Sequence, residues 1–332
     1  MRNELSTDEA FHAKMSDAQN VGRRCCGRAH TTTSCSGKKR SRNSGDKIRI
    51  ELATDTILIM KRKNILQQCV LVLVMLSTMV ASGGGTKVET ESMRISVVYN
   101  NVPHTPGLKT GWGFAAVIET PDHTILFDTG GNGIILLSNM EHLGIDPKAV
   151  NAVVLSHIHA DHTGGLDAFL DRNSEVTVYV PESFPASFQE NVRRHGARVE
   201  IVGGPRRLFG GMHSTGEMGT GIKEQALIIE TPKGLVIITG CAHPRITNIA
   251  AAARQYLAKD IYLLMGGFHM LAMSEAEIRS IIDNLRDLGV KEIAPSHCTG
   301  DKATSLFHQV WGDDFIDGGC GAIIEVPPSV VR

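Results

Sequence analysis

Ser156-His157-Ile158-His159-Ala160-Asp161-His162 places three imidazoles and one carboxylate within six positions, His157 to His162. Zn²⁺ and similar borderline metals select these side chains as ligands. His157 and His159 are two residues apart, so an extended segment points both the same way. Asp161 and His162 follow once the chain turns and can serve a second ion beside the first. The apolar run Ala152-Val153-Val154-Leu155 precedes the cluster and Thr163-Gly164-Gly165 follows it. A buried strand thus carries the donors to its C-terminal tip, and a glycine pair lets the backbone pass close by. A solvated histidine cluster would need neither flank. The chemistry this pattern supports is metal-assisted attack by water.

More donors follow downstream. Thr239-Gly240-Cys241-Ala242-His243-Pro244 offers a thiol, which a metal would deprotonate, and an imidazole two residues later. Gly266-Gly267-Phe268-His269 and Pro295-Ser296-His297-Cys298-Thr299-Gly300 each follow an apolar run. Both place a histidine at a strand tip, where α/β sheets build their sites. His213 precedes a hairpin and is a weaker candidate ligand. His104, His123, His142, His195 and His308 read as surface or packing residues. Arg206, Arg207 and Arg245 read as solvated surface.

The order of these motifs resembles the metallo-β-lactamase superfamily. Within it, the chain resembles the subgroup named after dihydropterin ribofuranosylaminobenzene phosphate synthase. The motifs that carry this are Gly113-Phe114, Leu126-Phe127-Asp128-Thr129-Gly130, the His157–His162 loop, Glu224-Gln225-Ala226-Leu227, the Cys241 and His243 segment, Gly266–His269 and His297-Cys298-Thr299-Gly300. They span about residues 93 to 326. The resemblance implies that Asp128 orients the histidine loop from behind the ligands. It implies a late histidine ligand, His297 first and His269 second. It also marks a departure: most members carry a bridging aspartate where this chain has Cys241.

The elements that must position these donors are strands near 94–99, 114–119, 124–128, 152–156, 176–180, 199–202, 226–231, 235–239, 261–265, 292–294 and 322–326. Helices are expected near 134–143, 166–170, 182–195, 246–257, 275–288 and 303–310, with a capping box at Ser274 and Glu277. Val117-Ile118-Glu119-Thr120-Pro121 leading to Ile125–Gly130 is echoed by Ile228-Ile229-Glu230-Thr231-Pro232 leading to Val236–Gly240. Both are hairpins ending at Thr-Gly. Two duplicated halves packed sheet to sheet give an α/β fold, an αββα sandwich over residues 93–328, which the resemblance also implies.

The chain has 332 residues, 42% hydrophobic and 5% aromatic, enough for a large core. Its first part is basic, with 14 Lys and Arg against 7 Asp and Glu up to Lys63, and the remainder is net acidic. An acidic remainder argues against a nucleic-acid enzyme. Residues 1–59 read as disordered or as a mis-assigned upstream segment. Met60-Lys61-Arg62-Lys63-Asn64, the apolar stretch Ile65 to Val80 and the small residues after it read as a signal peptide over 60–82, with a membrane anchor as the alternative. Beyond it lie Cys241, Cys298 and Cys320, too few for a disulfide framework, and two of them neighbour histidines.

The expectation is an exported metallohydrolase with two Zn²⁺ ions, Mn²⁺ or iron being the alternatives, acting on a small ester, amide, lactone or phosphoester through a metal-bound hydroxide. His157, His159 and either His243 or His213 would hold one ion. Asp161, His162, His297 and Cys241 would hold the other. Asp161 would also take up the proton of the attacking water. A synthase-type transferase and a non-hydrolytic metal-binding or redox protein are the alternatives.

Overall fold

Along β2 (Phe114–Glu119), side chains alternate between two buried faces. Phe114, Ala116 and Ile118 turn one way, and Ala115 and Val117 the other. A strand that is apolar on both faces has to be covered on both. The computed structural model describes residues 92–326, so the expected upstream segment 1–59 and signal sequence 60–82 lie outside the described residues.

The first sheet has the order β13-β1-β2-β3-β4-β5-β6. It comprises β1 (Met93–Asn100), β2, β3 (Thr124–Phe127), β4 (Ala152–Val154), β5 (Thr177–Pro181), β6 (Arg198–Val202) and β13 (Ile323–Val326). The second sheet has the order β12-β11-β10-β9-β8-β7. It comprises β7 (Arg206–Phe209), β8 (Met212–Ser214), β9 (Leu227–Thr231), β10 (Gly234–Thr239), β11 (Ile261–Gly267) and β12 (Glu292–Ser296). The sheets meet through one core to which Ile95, Ile118 and Phe127 contribute from one side and Ile229, Ile238 and Met265 from the other.

The outer faces are covered by helices. Leu136 and Met140 of α1 (Gly133–His142), Phe169 of α3 (Leu166–Leu170) and Val192 of α4 (Ala186–Arg194) pack on the first sheet. Ile249 of α5 (Ile246–Leu257), Ile282 of α6 (Glu275–Asp287) and Phe307 of α7 (Asp301–Trp311) pack on the second. This is the expected αββα arrangement. Each half has an antiparallel hairpin, β2–β3 and β9–β10, whose second strand pairs in parallel with the next, β4 and β11. The hairpin echo in the sequence therefore corresponds to matching positions in the two sheets. The capping box at Ser274 and Glu277 forms as expected at the start of α6.

Some boundaries differ. The helix expected from residue 182 begins at Ala186, because Pro185 takes the N-cap and biases the residue before it toward extended backbone. The strand expected to run to residue 156 ends at Val154, and the donor segment turns into the short helix α2 (Ala160–Thr163). The β7–β8 hairpin was not expected from sequence. Its strands are short and β7 carries two arginines, so it lacks a strong alternating pattern.

Candidate metal centre

The donors sit at the C-terminal tips of β3, β4, β10, β11 and β12. Among the described residues, four of the six non-glycine residues with positive φ are Asp128, Ala242, His269 and His297, at or just past these tips. Such backbone costs about 1–3 kcal/mol per residue and persists where surrounding contacts impose it, often at functional sites.

Asp128, fully buried after β3, organises the first half. Its Oδ1 accepts from the Ser156 amide at 2.7 Å. Its Oδ2 accepts from Ser156 Oγ at 2.7 Å and from His162 Nδ1 at 2.7 Å. With its proton given to Asp128, Ser156 Oγ accepts from His157 Nδ1 at 2.9 Å. One carboxylate thus sets the Nδ1–H tautomer of His162 directly and of His157 through a serine, which leaves both Nε2 atoms facing inward. Gly240 lies against this network, and a Cβ there would meet Ser156 Oγ and come within 2.9 Å of Asp128 Oδ2. The two halves therefore touch at a residue that must be glycine.

Two donor sets result. His157, His159 and His243 form the first, and Asp161, His162, Cys241 and His297 the second; within each, one ligand atom per residue lies within 4.8 Å of the others. His157 Nε2 is 3.1 Å from His159 Nδ1. Cys241 Sγ is 3.2 Å from His162 Nε2, and Asp161 Oδ2 is 3.5 Å from His162 Nε2 and 3.3 Å from His297 Nε2. The His157 and His162 rings, one from each set, have centroids 4.2 Å apart, so the sets are side by side. Asn101 accepts from His297 Nδ1 at 2.7 Å and turns its Nε2 inward as well. His243 Nε2 is buried with no hydrogen-bond partner, and His297 Nε2, also buried, faces the Asp161 carboxylate at 3.3 Å. Unpaired buried nitrogens are costly unless something binds them, and a cation fits this donor chemistry.

The electrostatics agree with that fit. Burial, followed by the neighbouring imidazoles, holds His157 far below its ordinary value and therefore neutral, as a ligand must be. Burial likewise lowers His243. Burial opposes the charge on Asp161, but the hydrogen bonds of His162 and His297 outweigh it and hold the carboxyl well below the usual range. For His162 burial is also outweighed, by Asp128 and Asp161, which lift it to about 10. A metal at Nε2 would replace the proton that Asp161 attracts there. The hydrogen bond between the Cys241 and Cys298 thiols lowers Cys298 to about 5 and raises Cys241.

The second hairpin tip is held by a residue to which sequence reasoning assigned no role. Glu224 is fully buried. Its Oε1 accepts from Thr239 Oγ1 at 2.8 Å and from the amides of Gly240, Cys241 and Ala242 at 3.0 Å each. Its Oε2 accepts from the His243 amide at 2.9 Å. One carboxylate therefore shapes the loop that presents both Cys241 and His243. Gln225 beside it donates to the Leu155 carbonyl at 2.9 Å and ties this half to the strand before the histidine loop. The Glu-Gln pair was visible in the sequence; Asn101, 196 residues from His297, had no local signal.

His213 is not brought to the centre. Its Nε2 is 2.8 Å from Glu230 Oε1 and its ring packs near Tyr256, because β8 places it outside the tips. His269 joins neither set; its ring lies 4.5 Å from His243 and it groups with Cys241 and Cys298. Two hollows flank the centre. One of about 260 Å³ is lined by His297, Asn101 and the half-exposed Trp112, whose ring is 5.0 Å from His297. Another of about 380 Å³ is lined by His243, Arg245 and the 218–222 loop. A larger hollow of about 720 Å³ beside α1, lined by Ile134, Leu137 and Arg172, has none of the donors in its wall.

The family model of the metallo-beta-lactamase superfamily matches residues 111–297. A 7,8-dihydropterin-6-methyl-4-(beta-D-ribofuranosyl)-aminobenzene-5'-phosphate synthase of Methanocaldococcus jannaschii is 31% identical over 246 aligned residues, covering 60% of this chain and 84% of the relative. A solved metal-dependent hydrolase of the beta-lactamase superfamily is 28% identical, with a TM-score of 0.61, covering 71% of this chain and 99% of that structure. The metallo-beta-lactamase fold protein YhfI of Bacillus subtilis shares the fold at 16% identity and a TM-score of 0.55, covering 71% of this chain and 100% of its own.

Proposed function

The chain belongs to the metallo-beta-lactamase superfamily and is an enzyme, and from that premise we propose that it is a dinuclear metal-dependent hydrolase of an ester, amide, lactone or phosphoester. The observation that carries the reading is the pair of adjacent donor sets with their imidazole nitrogens turned inward, His243 Nε2 among them buried and without a partner. His157, His159 and His243 would hold one ion, and Asp161, His162, His297 and Cys241 the other, with Zn²⁺ suited to this mixture of nitrogen, oxygen and sulfur. When bound, such a pair supplies Lewis-acid polarisation of a substrate oxygen and lowers the pKa of water.

The chain's own residues do the rest. Asp128, through Ser156 and directly, keeps His157 and His162 in the tautomers that present Nε2. Asp161 has a side chain 21% exposed, with Oδ2 turned toward His162 and His297, so Oδ1 is available to take up the proton of the attacking water. Trp112 offers a flat apolar wall beside His297 for the part of the substrate next to the scissile bond.

A second reading is group transfer of the synthase type, which the relative at 31% identity favours. Protein with its metals bound, assayed on ester, lactone, phosphodiester and β-lactam substrates and for the product after which that relative is named, separates the two. Turnover of a hydrolytic substrate, lost in His159→Ala and retained in His213→Ala, is expected. Full metal content with no hydrolysis, together with formation of the pterin product, would overturn the hydrolase reading in favour of transfer.

A further inference from the structure

Three neighbouring parallel strands of the second sheet, β10, β11 and β12, each lead into a metal-type donor: Cys241, His269 and Cys298. Cys241 belongs to the set already described, but the other two do not. Cys298 Sγ is 3.3 Å from Cys241 Sγ, and one ligand atom from each of the three residues lies within 4.8 Å of the others. Both sulfurs are buried, at 4% and 3% exposure, whereas His269 is exposed. We propose that Cys241, His269 and Cys298 form a further metal position, for a thiophilic ion of the Zn²⁺ type, with the Cys241 thiolate shared between it and the Asp161, His162 and His297 set.

The geometry suits such an ion. Two metal–sulfur bonds of about 2.3 Å at a tetrahedral angle hold their sulfurs about 3.8 Å apart. The observed 3.3 Å is reached from there by small side-chain rotations. Both sulfurs can be thiolates at such a distance only if a cation lies between them, since two anions in a buried site repel. The backbone is shaped to admit the pair. A Cβ on Gly267 would stand 2.7 Å from Cys298 Sγ and collide with the Gly240 carbonyl, so only glycine leaves this space open. His269 adopts φ 54, a backbone that non-glycine residues seldom adopt.

The composition of the position sets its preference. It has two sulfurs and one imidazole and no carboxylate, so it is the softest of the three donor groups. It should take Zn²⁺, Cd²⁺ or Cu⁺ and reject Mn²⁺ and Mg²⁺. The exposed His269 side leaves the remaining coordination position open to solvent or to a soft ligand atom. The position adds to the dinuclear reading above and is separable from it.

The test is a titration of metal-free full-length protein with Cd²⁺ under a phosphine reductant. It reads thiolate-to-cadmium charge-transfer absorbance and bound cadmium by elemental analysis. Cys298→Ser and, separately, His269→Ala should each bind one equivalent fewer than wild type, and Cys298→Ser should also lose part of the absorbance. His269 is exposed, so its replacement spares the core and decides the matter even if Cys298→Ser folds poorly. A count and absorbance unchanged from wild type in both variants would overturn the proposal. His159→Ala separates the two readings. If it leaves the count unchanged while Cys298→Ser and His269→Ala reduce it, the dinuclear reading fails and this one stands.

Discussion

Glu224→Gln isolates what holds the second hairpin tip. The side chain keeps its shape but has only one oxygen. With that oxygen in the Oε1 position, the four bonds from Thr239, Gly240, Cys241 and Ala242 survive. The amide nitrogen then faces the His243 N–H across 2.9 Å, donor against donor. A buried donor left unmade costs about 1–3 kcal/mol. The four surviving bonds also weaken, from about 1.5–3 kcal/mol each when charge-assisted to about 0.5–1.5 kcal/mol when neutral. Against this, a neutral amide avoids burying a carboxylate, which is worth several kcal/mol. The opposing terms are similar in size, so global stability should change little, and the local loss falls on the peptide that carries His243. Metal affinity at the His157, His159 and His243 set should therefore drop about 10–100-fold, as for other residues that position ligands. That is about 1.4–2.7 kcal/mol. Competition of Zn²⁺ between the folded variant and a chelator measures it. A variant with native circular dichroism that binds both ions within about twofold of wild type, well short of that range, would refute the reasoning.

Asp128→Asn should weaken both donor sets about 10–100-fold, because His157 and His162 both take their tautomers from that carboxylate; metal titration with ¹⁵N imidazole spectra would check it. Gly267→Ala should destabilise the fold by about 1–3 kcal/mol through overpacking against Gly240 and Cys298, read as a lower denaturation midpoint. In metal-free protein His162 is lifted, against its burial, from 6.5 to about 10. A pKa raised in the folded state stabilises it fully below the unfolded value, so this contribution should be complete below about pH 6.5 and lost as pH rises to about 10. Denaturant titrations across that window should show the decline, and Asp128→Asn should flatten it.

The sequence alone determined the local parts. A buried strand tip followed by His157-x-His159-x-Asp161-His162 and a glycine pair could be read from residue types and spacing, since ligand chemistry and strand periodicity are local properties. The hairpin echo was legible for the same reason, as was the layered architecture that follows from strands apolar on both faces. Tertiary structure decided which distant donors join. His243 and not His213 comes to the first set, because β8 turns His213 toward Glu230. His297 takes its orientation from Asn101, in the loop after β1, and the Cys241–His243 loop takes its shape from Glu224. Cys298 meets Cys241 only because β10, β11 and β12 lie side by side in parallel register. Those contacts depend on which strands become neighbours and where each one ends. That is settled by the packing of two sheets around a shared core, which no spacing along a single chain encodes.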